Sequence, residues 1–223
     1  MGRKITSQNN FYYLTLSLII LLVSSSLELV LKSGWLEIVF QAITATTFLV
    51  CLLSLRFDTG WYRFLMMLLV LWVAVSILKS FFELYNTDLF MLILMFSFFF
   101  GTFKSIMRQI LLTGSIDNNK VVGSLALFLL LGLMWAIIYL FVLEFSPNAF
   151  TGIEYKAWGE NFANAAYFSF VTLTTLGYGD MSPVSPVAQV IVYLEAIAGV
   201  FYMAIVVASL VGASQSNQDK NDE

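Results

Sequence analysis

The sequence TTLGYGD, Thr174 to Asp180, follows a short apolar stretch, NFANAAYFSFVTLT, and precedes a long one. The short stretch, residues 161–174, cannot cross a bilayer twice, yet it is too apolar for an ordinary exposed loop. It is predicted to be a re-entrant helix that Asn161 caps and whose C-terminal end points toward the middle of the membrane. The negative end of its dipole would favour a cation at that depth.

The residues after this helix must adopt non-helical backbone at membrane depth. Such backbone is tolerated only where protein buries it or where it lines a water-filled path. Gly177 and Gly179 suit this requirement, because glycine adopts φ values that other residues rarely reach. Successive carbonyl oxygens can then turn toward one axis instead of alternating as in a β-strand. A ring of such carbonyls can replace the hydration shell of a cation.

This motif resembles the selectivity filter of the potassium channel family, T-V-G-Y-G, with leucine in place of valine. The similarity covers about Lys120 to Gly212, which would be the outer helix, pore helix, filter and inner helix of that family. It implies K+ as the bound ion, and no other cofactor is expected. The residues that the resemblance assigns to the ion sites are Thr175, Leu176, Gly177, Tyr178 and Gly179, through backbone carbonyls and the Thr175 hydroxyl.

One chain supplies one strand of such a filter. A closed coordination ring therefore implies a homotetramer around a central axis. The expected partners are potassium ions, membrane lipids and three further copies of the chain. Thr172, Thr174 and Asp180 are expected to support the filter from the pore helix and from the outer mouth.

The pore helix departs from the family pattern at two places. Many members carry paired tryptophans where this chain has Tyr167 and Phe168, so bracing of the filter is expected from Thr172 and from packing. Some bacterial members have a carboxylate at the position of Val171, and that group pairs with the filter aspartate. Asp180 is therefore expected to lack this partner.

Two residues of the last apolar stretch each have two interpretations. The first, Gly199, resembles the gating hinge of the family's inner helix, but a small residue there also permits close helix packing. Glu195 is an ionisable side chain within an apolar span, where a functional role is the default hypothesis. Its structural alternative is a glutamate that faces protein and is hydrogen-bonded to the pore helix.

Composition sets the class of the protein. Sixty per cent of the 223 residues are apolar, 11% are charged, and the mean hydropathy is +0.87, which are values of a chain surrounded by lipid. The basic residues are scattered and the net charge is −3, so nucleic-acid binding is not expected. With one cysteine, Cys51, and no histidine, the chain has few groups for metal binding or catalysis, and it is not expected to be an enzyme.

A membrane-spanning helix needs about 20 residues, and six stretches reach that length. The fold class predicted is an all-α membrane protein with six transmembrane helices, a re-entrant pore helix and a filter loop, assembled as a tetrameric pore. Ser185 as N-cap and Pro186 at the first helical position would open the last span. The predicted spans are Phe11–Leu31, Trp35–Leu55, Tyr62–Phe82, Asp88–Met107, Val121–Leu143 and Pro186–Gly212.

The distribution of lysine and arginine predicts a multi-pass protein of the cell membrane with both termini in the cytoplasm. The cytoplasmic side would then hold Arg3, Lys4, Arg56, Arg63, Lys104, Arg108, Lys120 and Lys220, and the outer side only Lys32, Lys79 and Lys156. The domains predicted are a voltage-sensor-like unit over residues 1–112, a pore domain over 120–213 and a short polar tail over 214–223, which is expected to be disordered.

Other functions share parts of this pattern. A non-selective cation channel would share every segment, but relatives that admit sodium tend to replace the aromatic residue at Tyr178. Transporters usually show paired interrupted helices in two repeats, and none is evident here. A non-conducting regulatory subunit would not need an intact filter. A potassium-selective channel subunit is therefore the function predicted, with potassium conduction that depends weakly on voltage.

Neutralising Lys104 and Arg108 together should barely change the voltage dependence of conductance. A steep sensor moves about three or four charges per subunit through the membrane field. The fourth predicted span offers only Lys104 at its inner end, with Arg108 just beyond it, and both can snorkel to the interface. The acidic residues Glu28, Glu37 and Glu83 lie toward outer helix ends and offer no inner partner. A steep conductance–voltage curve that flattens in the double variant would contradict this expectation.

Overall fold

The structure is a computed structural model. It describes residues 9–31, 34–54, 59–82, 87–112 and 118–219, with side chains described for 9–27, 38–54, 60–79, 87–110 and 119–206. Seven helices and one short strand pair make up this part of the chain. They are α1 Asn10–Leu31, α2 Gly34–Ser54, α3 Thr59–Phe82, α4 Thr87–Leu112, α5 Asn118–Phe145, β1 Phe150–Thr151, α6 Trp158–Leu173, β2 Ser182–Pro183 and α7 Pro186–Asp219.

All six predicted spans are helical wherever the structure describes them, and only Leu55, at the end of the second span, lies outside the described residues. Five described segments, in α1, α3, α4, α5 and α7, are long and apolar enough to cross a membrane, whereas the described apolar part of α2, Ile38–Ser54, is shorter. Ser185 caps α7 by accepting a hydrogen bond at its Oγ from the Ala188 amide, 3.2 Å away, and Pro186 is the first helical residue. The prediction of an all-α membrane protein is confirmed.

The end of α7 differs from the prediction. The polar tail from Ser214 was expected to be disordered, but the helix continues to Asp219. No proline or further glycine follows Gly212, and the residues in this segment are tolerated in helices, so nothing in the sequence ends the helix there. The predicted boundary at residue 213 therefore has no counterpart in the backbone of α7.

Helices α1 to α4 pack together around an aromatic core. The Phe48 ring stacks on Phe98 with centroids 4.1 Å apart, and Trp72 and Phe99 meet Phe48 edge-on, each at 5.4 Å. Cys51 is buried beside this core as a small apolar side chain. The contacts that close the unit are apolar and aromatic, in keeping with the near absence of charge from these helices.

Helix α1 joins the four-helix unit to the rest of the protein, because it packs on α2, α5 and α6. At one end of these helices a buried polar cluster links three of them. The Asn119 amide donates to Asn10 Oδ1 at 2.8 Å, and the Asn10 amide donates to the Ser54 carbonyl at 2.9 Å. Asn119 Oδ1 also accepts a hydrogen bond from the Phe11 backbone amide at 3.3 Å. The start of α5 is therefore fixed to α1 and α2.

Charged side chains mark the two ends of the bundle. Lys79 and Asp88 form an ion pair of 2.5 Å where α3 ends and α4 begins. At the opposite end, Lys104 lies over the Trp61 ring, 5.4 Å from its centroid. The side chains of Arg3, Lys4, Glu28, Lys32, Glu37, Arg56, Glu83 and Lys220, which the sequence placed near one or the other membrane face, lie outside the described part of the chain.

Replacing Asn119 by alanine should lower the stability of the folded protein by about 1–3 kcal/mol. The substitution removes partners from two buried groups, Asn10 Oδ1 and the Phe11 amide, and buried polar groups without partners cost roughly this much. Thermal unfolding of the purified protein in detergent measures the loss. Asn148→Ala is the matched control, because Asn148 is exposed in the loop after α5. Equal losses in both variants would contradict the prediction.

Candidate functional site: the re-entrant helix and its filter segment

Helix α6 is the predicted re-entrant helix, and it is held on several sides. It packs against α1, α5 and α7. Near its start, Phe40 of α2 contacts both Trp158 and Phe162, with ring centroids 6.3 and 5.6 Å apart. Further along, the Phe170 ring lies so close to Gly132 of α5 that a Cβ there would be 2.4 Å from the ring. Glycine at position 132 therefore allows α5 and α6 to approach closely.

The predicted N-cap of this helix is wrong. The helix begins at Trp158, three residues before Asn161, and Ala157 occupies the cap position without a side-chain hydrogen bond. The Asn161 amide lies inside the helix and donates backward to the Glu154 carbonyl at 2.8 Å. Asparagine commonly caps helices. Here Asn161 is already inside the helix, since its own backbone amide donates to the Ala157 carbonyl, and its side chain bonds to the preceding loop instead.

The segment after α6 is hydrogen-bonded to the end of that helix. The Thr174 amide donates to the Phe170 carbonyl at 3.1 Å. The Val171 carbonyl then accepts from two amides, those of Leu176 at 2.9 Å and Gly177 at 3.2 Å. The Thr174 hydroxyl also donates to the Phe170 carbonyl, at 2.6 Å. The filter segment is thus fixed to the last turn of the helix by its backbone.

The backbone of this segment alternates between two conformations. Three residues have positive φ, at 60° for Thr175, 57° for Gly177 and 80° for Gly179. The two residues between them, Leu176 and Tyr178, do not. A strand with uniform φ turns its carbonyls to alternate sides, and this alternation instead allows successive carbonyls to face one side. The predicted need for unusual φ at both glycines is met.

Thr175 was not predicted to have positive φ. Among the described residues it is the one that does so without being glycine, and such a conformation is uncommon for a β-branched residue. The surrounding hydrogen bonds hold it there, since its own amide donates to the Thr172 carbonyl at 2.9 Å. Backbone strain of this kind is concentrated at functional sites. The strained residue is the one whose hydroxyl and carbonyl were both predicted to face an ion.

Asp180 has a partner that the sequence analysis missed. The Tyr167 hydroxyl donates to Asp180 Oδ2 at 2.7 Å, and Asp180 Oδ1 accepts from the Met181 amide at 3.0 Å. Val171 supplies no carboxylate to Asp180, as the sequence indicated. A tyrosine one turn earlier on the same helix reaches the aspartate instead.

The bracing of the filter segment also differs from the expectation, which assigned it to Thr172. The Thr172 side chain lies near Tyr139 of α5, and the Tyr178 side chain remains 67% exposed. The brace between the pore helix and the outer end of the filter segment is the contact from Tyr167 to Asp180. On the far side, Gly152 has φ of +80° and lies against the Asp180 carbonyl, where a Cβ would be 2.1 Å from the oxygen. Asp180 therefore contacts both α6 and the loop after α5, while its side chain stays exposed.

The strand pair fastens the chain that leaves the filter segment. Phe150 and Thr151 of β1 pair with Pro183 and Ser182 of β2 in antiparallel register. The Ala149 carbonyl accepts hydrogen bonds from the amides of residues 184 and 185, at 2.8 and 3.2 Å. Both ends of the filter segment are consequently tied to the protein, one to α6 and the other to the loop after α5.

Glu195 is fully buried and faces protein, as the structural interpretation predicted. Its Oε1 lies 2.5 Å from Ser169 Oγ of α6, and its Oε2 accepts a hydrogen bond from the Tyr139 hydroxyl of α5. Neither partner was identified from the sequence. A lone hydroxyl in an apolar membrane segment usually seeks a polar partner, and this signal, present at Ser169 and Tyr139, could have found both.

Gly199 lies against the C-terminal end of α6. A Cβ at this position would be 2.1 Å from the Leu173 carbonyl oxygen. The close-packing interpretation therefore describes what the structure contains, and the hinge role stays a prediction. Three residues on, the Tyr202 hydroxyl donates to the Ser124 carbonyl of α5. Between α5, α7 and the start of the filter segment lies a cleft of about 760 Å³ that Thr174, Thr175 and Gly199 line.

Tyr167→Phe should increase amide hydrogen exchange around Asp180, because it removes the hydroxyl that joins the filter segment to α6. The measurement is exchange in the intact membrane protein, followed in peptides that cover residues 178–182. Tyr155→Phe is the matched control, since it removes an exposed phenol that donates to Glu144 at 3.0 Å, away from the filter segment. Unchanged exchange at 178–182 in Tyr167→Phe would show that this hydroxyl does not restrain the segment.

Comparisons with known proteins agree with this geometry. Residues 126–215 match the family model described as ion channel. A 74-residue segment is 36% identical to the inward rectifier potassium channel Kirbac3.1 of Paramagnetospirillum magnetotacticum, over 30% of this chain and 25% of that protein. The chain therefore spans about a quarter of the length of this curated relative. No solved structure matches the chain significantly.

The matched region contains the features described above. It includes most of α5, all of α6, the filter segment and most of α7. The family consists of ion channels and not of enzymes, as the absence of a catalytic constellation in the sequence predicted. Residues 126–215 therefore form an ion channel domain, and the chain is similar in part to a potassium channel.

Proposed function

We propose that this protein is a subunit of a potassium-selective channel that conducts K+ passively across the membrane. The observation that carries the proposal is the alternating backbone from Thr175 to Gly179 at the end of a re-entrant helix. Stacked backbone carbonyls replace the water around a dehydrated K+ ion. The proposed ion ligands are the carbonyls of Thr175, Leu176, Gly177 and Tyr178 and the Thr175 hydroxyl, and K+ is the only bound cofactor proposed.

The proposed assembly is a homotetramer. A single chain supplies one quarter of a coordination ring, and its filter segment is exposed on one side, with Leu176 at 55% and Tyr178 at 67%. Helix α7 supports the same conclusion, because only 11% of its apolar window, Pro186–Val206, is buried within one chain. Large apolar surfaces of this kind require lipid or protein around them. Four copies around an axis would cover one face of α7 and close the ring.

We propose that both termini face the cytoplasm and that the Tyr178 end of the filter faces outward. The ion pair of Lys79 with Asp88 and the contact of Lys104 with Trp61 lie at opposite ends of α3 and α4. The sequence predicts more basic residues on the Lys104 side of the membrane than on the Lys79 side, which supports a cytoplasmic position for the Lys104 end. The contact with Trp61 supports an anchoring role for Lys104, and voltage dependence is proposed to be weak.

The alternative, a non-selective cation channel, would lack part of the filter. Here residues 175–179 match the T-V-G-Y-G motif at every position except Leu176. Thr175, Gly177 and Gly179 also have positive φ. This completeness favours selectivity. Gly199 is proposed as the gating hinge of α7, because glycine has more backbone freedom than any other residue.

The reconstituted protein should carry a current whose reversal potential follows the K+ gradient when K+ and Na+ are opposed. Gly177→Ala should abolish selective conduction, because a Cβ disfavours φ of +57° by about 1–2 kcal/mol in each of four subunits. Gly159→Ala is the matched control, since a Cβ at that helical position meets nothing within 4 Å. Reversal near zero in opposed gradients would overturn the proposal of selectivity.

A further inference from the structure

We propose that Glu195 carries a proton and acts as a positioning residue of the filter, the centre of one continuous hydrogen-bond chain that joins α5, α6 and α7. The chain runs from the Tyr139 hydroxyl through Glu195 and Ser169 to the Gly132 carbonyl. The assignment of the proton rests on oxygen contacts alone. Only its consequence for ion conduction rests on the proposed channel function.

The contacts around Ser169 require one hydrogen more than Ser169 owns. Its Oγ is 2.7 Å from the Gly132 carbonyl oxygen and 2.5 Å from Glu195 Oε1. Two oxygens at these distances need a hydrogen between them. A hydroxyl has one hydrogen, and neither a carbonyl nor an ionised carboxylate has any. Ser169 can supply one of the two contacts, and Glu195 must supply the other.

The second carboxyl oxygen is compatible with this proton. Glu195 Oε2 accepts from the Tyr139 hydroxyl. Each contact then has one hydrogen, in the order Tyr139 to Glu195 to Ser169 to the carbonyl of Gly132. An ionised Glu195 would leave the contact between Ser169 and that carbonyl, or the one between Ser169 and Glu195, without a hydrogen.

The surroundings of Glu195 also favour the neutral acid. The side chain is fully buried, and the titratable group that faces it from α5 is Tyr139, whereas α6 presents the hydroxyls of Ser169 and Thr172. Within the described part of the chain, no lysine or arginine forms an ion pair with Glu195. A buried carboxylate without a cation is costly, whereas a buried acid with every hydrogen bond made is not.

The hydrogen-bond chain lies directly behind the filter segment. Ser169 lies two residues before Val171, whose carbonyl accepts the Leu176 and Gly177 amides. Fixing the Ser169 side chain fixes the end of α6, and with it the acceptor on which the filter backbone depends. Glu195 thus acts on the ion path through the pore helix, without touching an ion.

The test is infrared spectroscopy of the reconstituted wild-type protein and three variants at neutral pH. A buried protonated carboxyl gives a carbonyl stretch distinct from the carboxylate bands. We expect one such band in the wild type, and it should be absent in Glu195→Gln. It should shift in Ser169→Ala, because the Glu195 proton loses its acceptor, and stay unchanged in Glu160→Gln. Glu160 is the matched control, an exposed glutamate in the first turn of α6.

Conduction gives a second measurement. A glutamine amide donates to Ser169 and accepts from Tyr139 as the neutral acid does, so Glu195→Gln should assemble and keep the K+ over Na+ selectivity of the wild type within about twofold by this isosteric argument. Failure of Glu195→Gln to assemble, loss of its selectivity, or an acid band that persists in it would overturn the assignment. A wild type that shows the band but no selective current would instead refute the proposed function.

Discussion

A segment of non-helical backbone inside a membrane protein must have its polar groups satisfied by the protein itself, and the rest of this pore follows from that constraint. The Val171 carbonyl meets it by accepting two amides of the filter segment, which frees the carbonyls of that segment for other ligands. A helix of 16 residues, α6, brings this acceptor to the correct depth. The filter segment therefore continues directly from the end of α6, and its conformation depends on the position of that helix.

The remaining elements hold α6 from each side. Gly132 and Gly199 remove the Cβ atoms that would otherwise push α5 and α7 away from it, and Phe40 covers its first turn. Tyr167 joins its outer face to Asp180, so one helix restrains both ends of the filter segment. These contacts combine two kinds of packing, close backbone approach at glycine and directed hydrogen bonds from hydroxyls. Both are effective in a membrane, where hydrophobic burial does little to bring helices together.

The sequence predicted those parts of the structure that depend on length, composition and local backbone preference. Six apolar stretches of spanning length became helices, and Gly177 and Gly179 have the positive φ expected of them. What it missed depends on which side chains meet across helices. The pairing of Tyr167 with Asp180 takes the place of the family's carboxylate pair, and a single sequence contains no sign of that exchange. Asn161 failed as a cap because capping preference is local, whereas the start of α6 is set by Trp158 packing on α2.

The contacts of α1 and α2 with the pore helix have a consequence for how separable the two halves of the protein are. Helix α6 is bounded on one side by α1, and its first turn rests on Phe40 of α2, so part of the groove that holds it comes from the first half of the chain. A pore unit cut away from residues 1–112 would expose Trp158 and Phe162, which are buried in the whole chain. In this protein the four-helix unit forms part of the surface on which α6 packs. Exchanging the unit between relatives would require the aromatic surface of α6 to change with it.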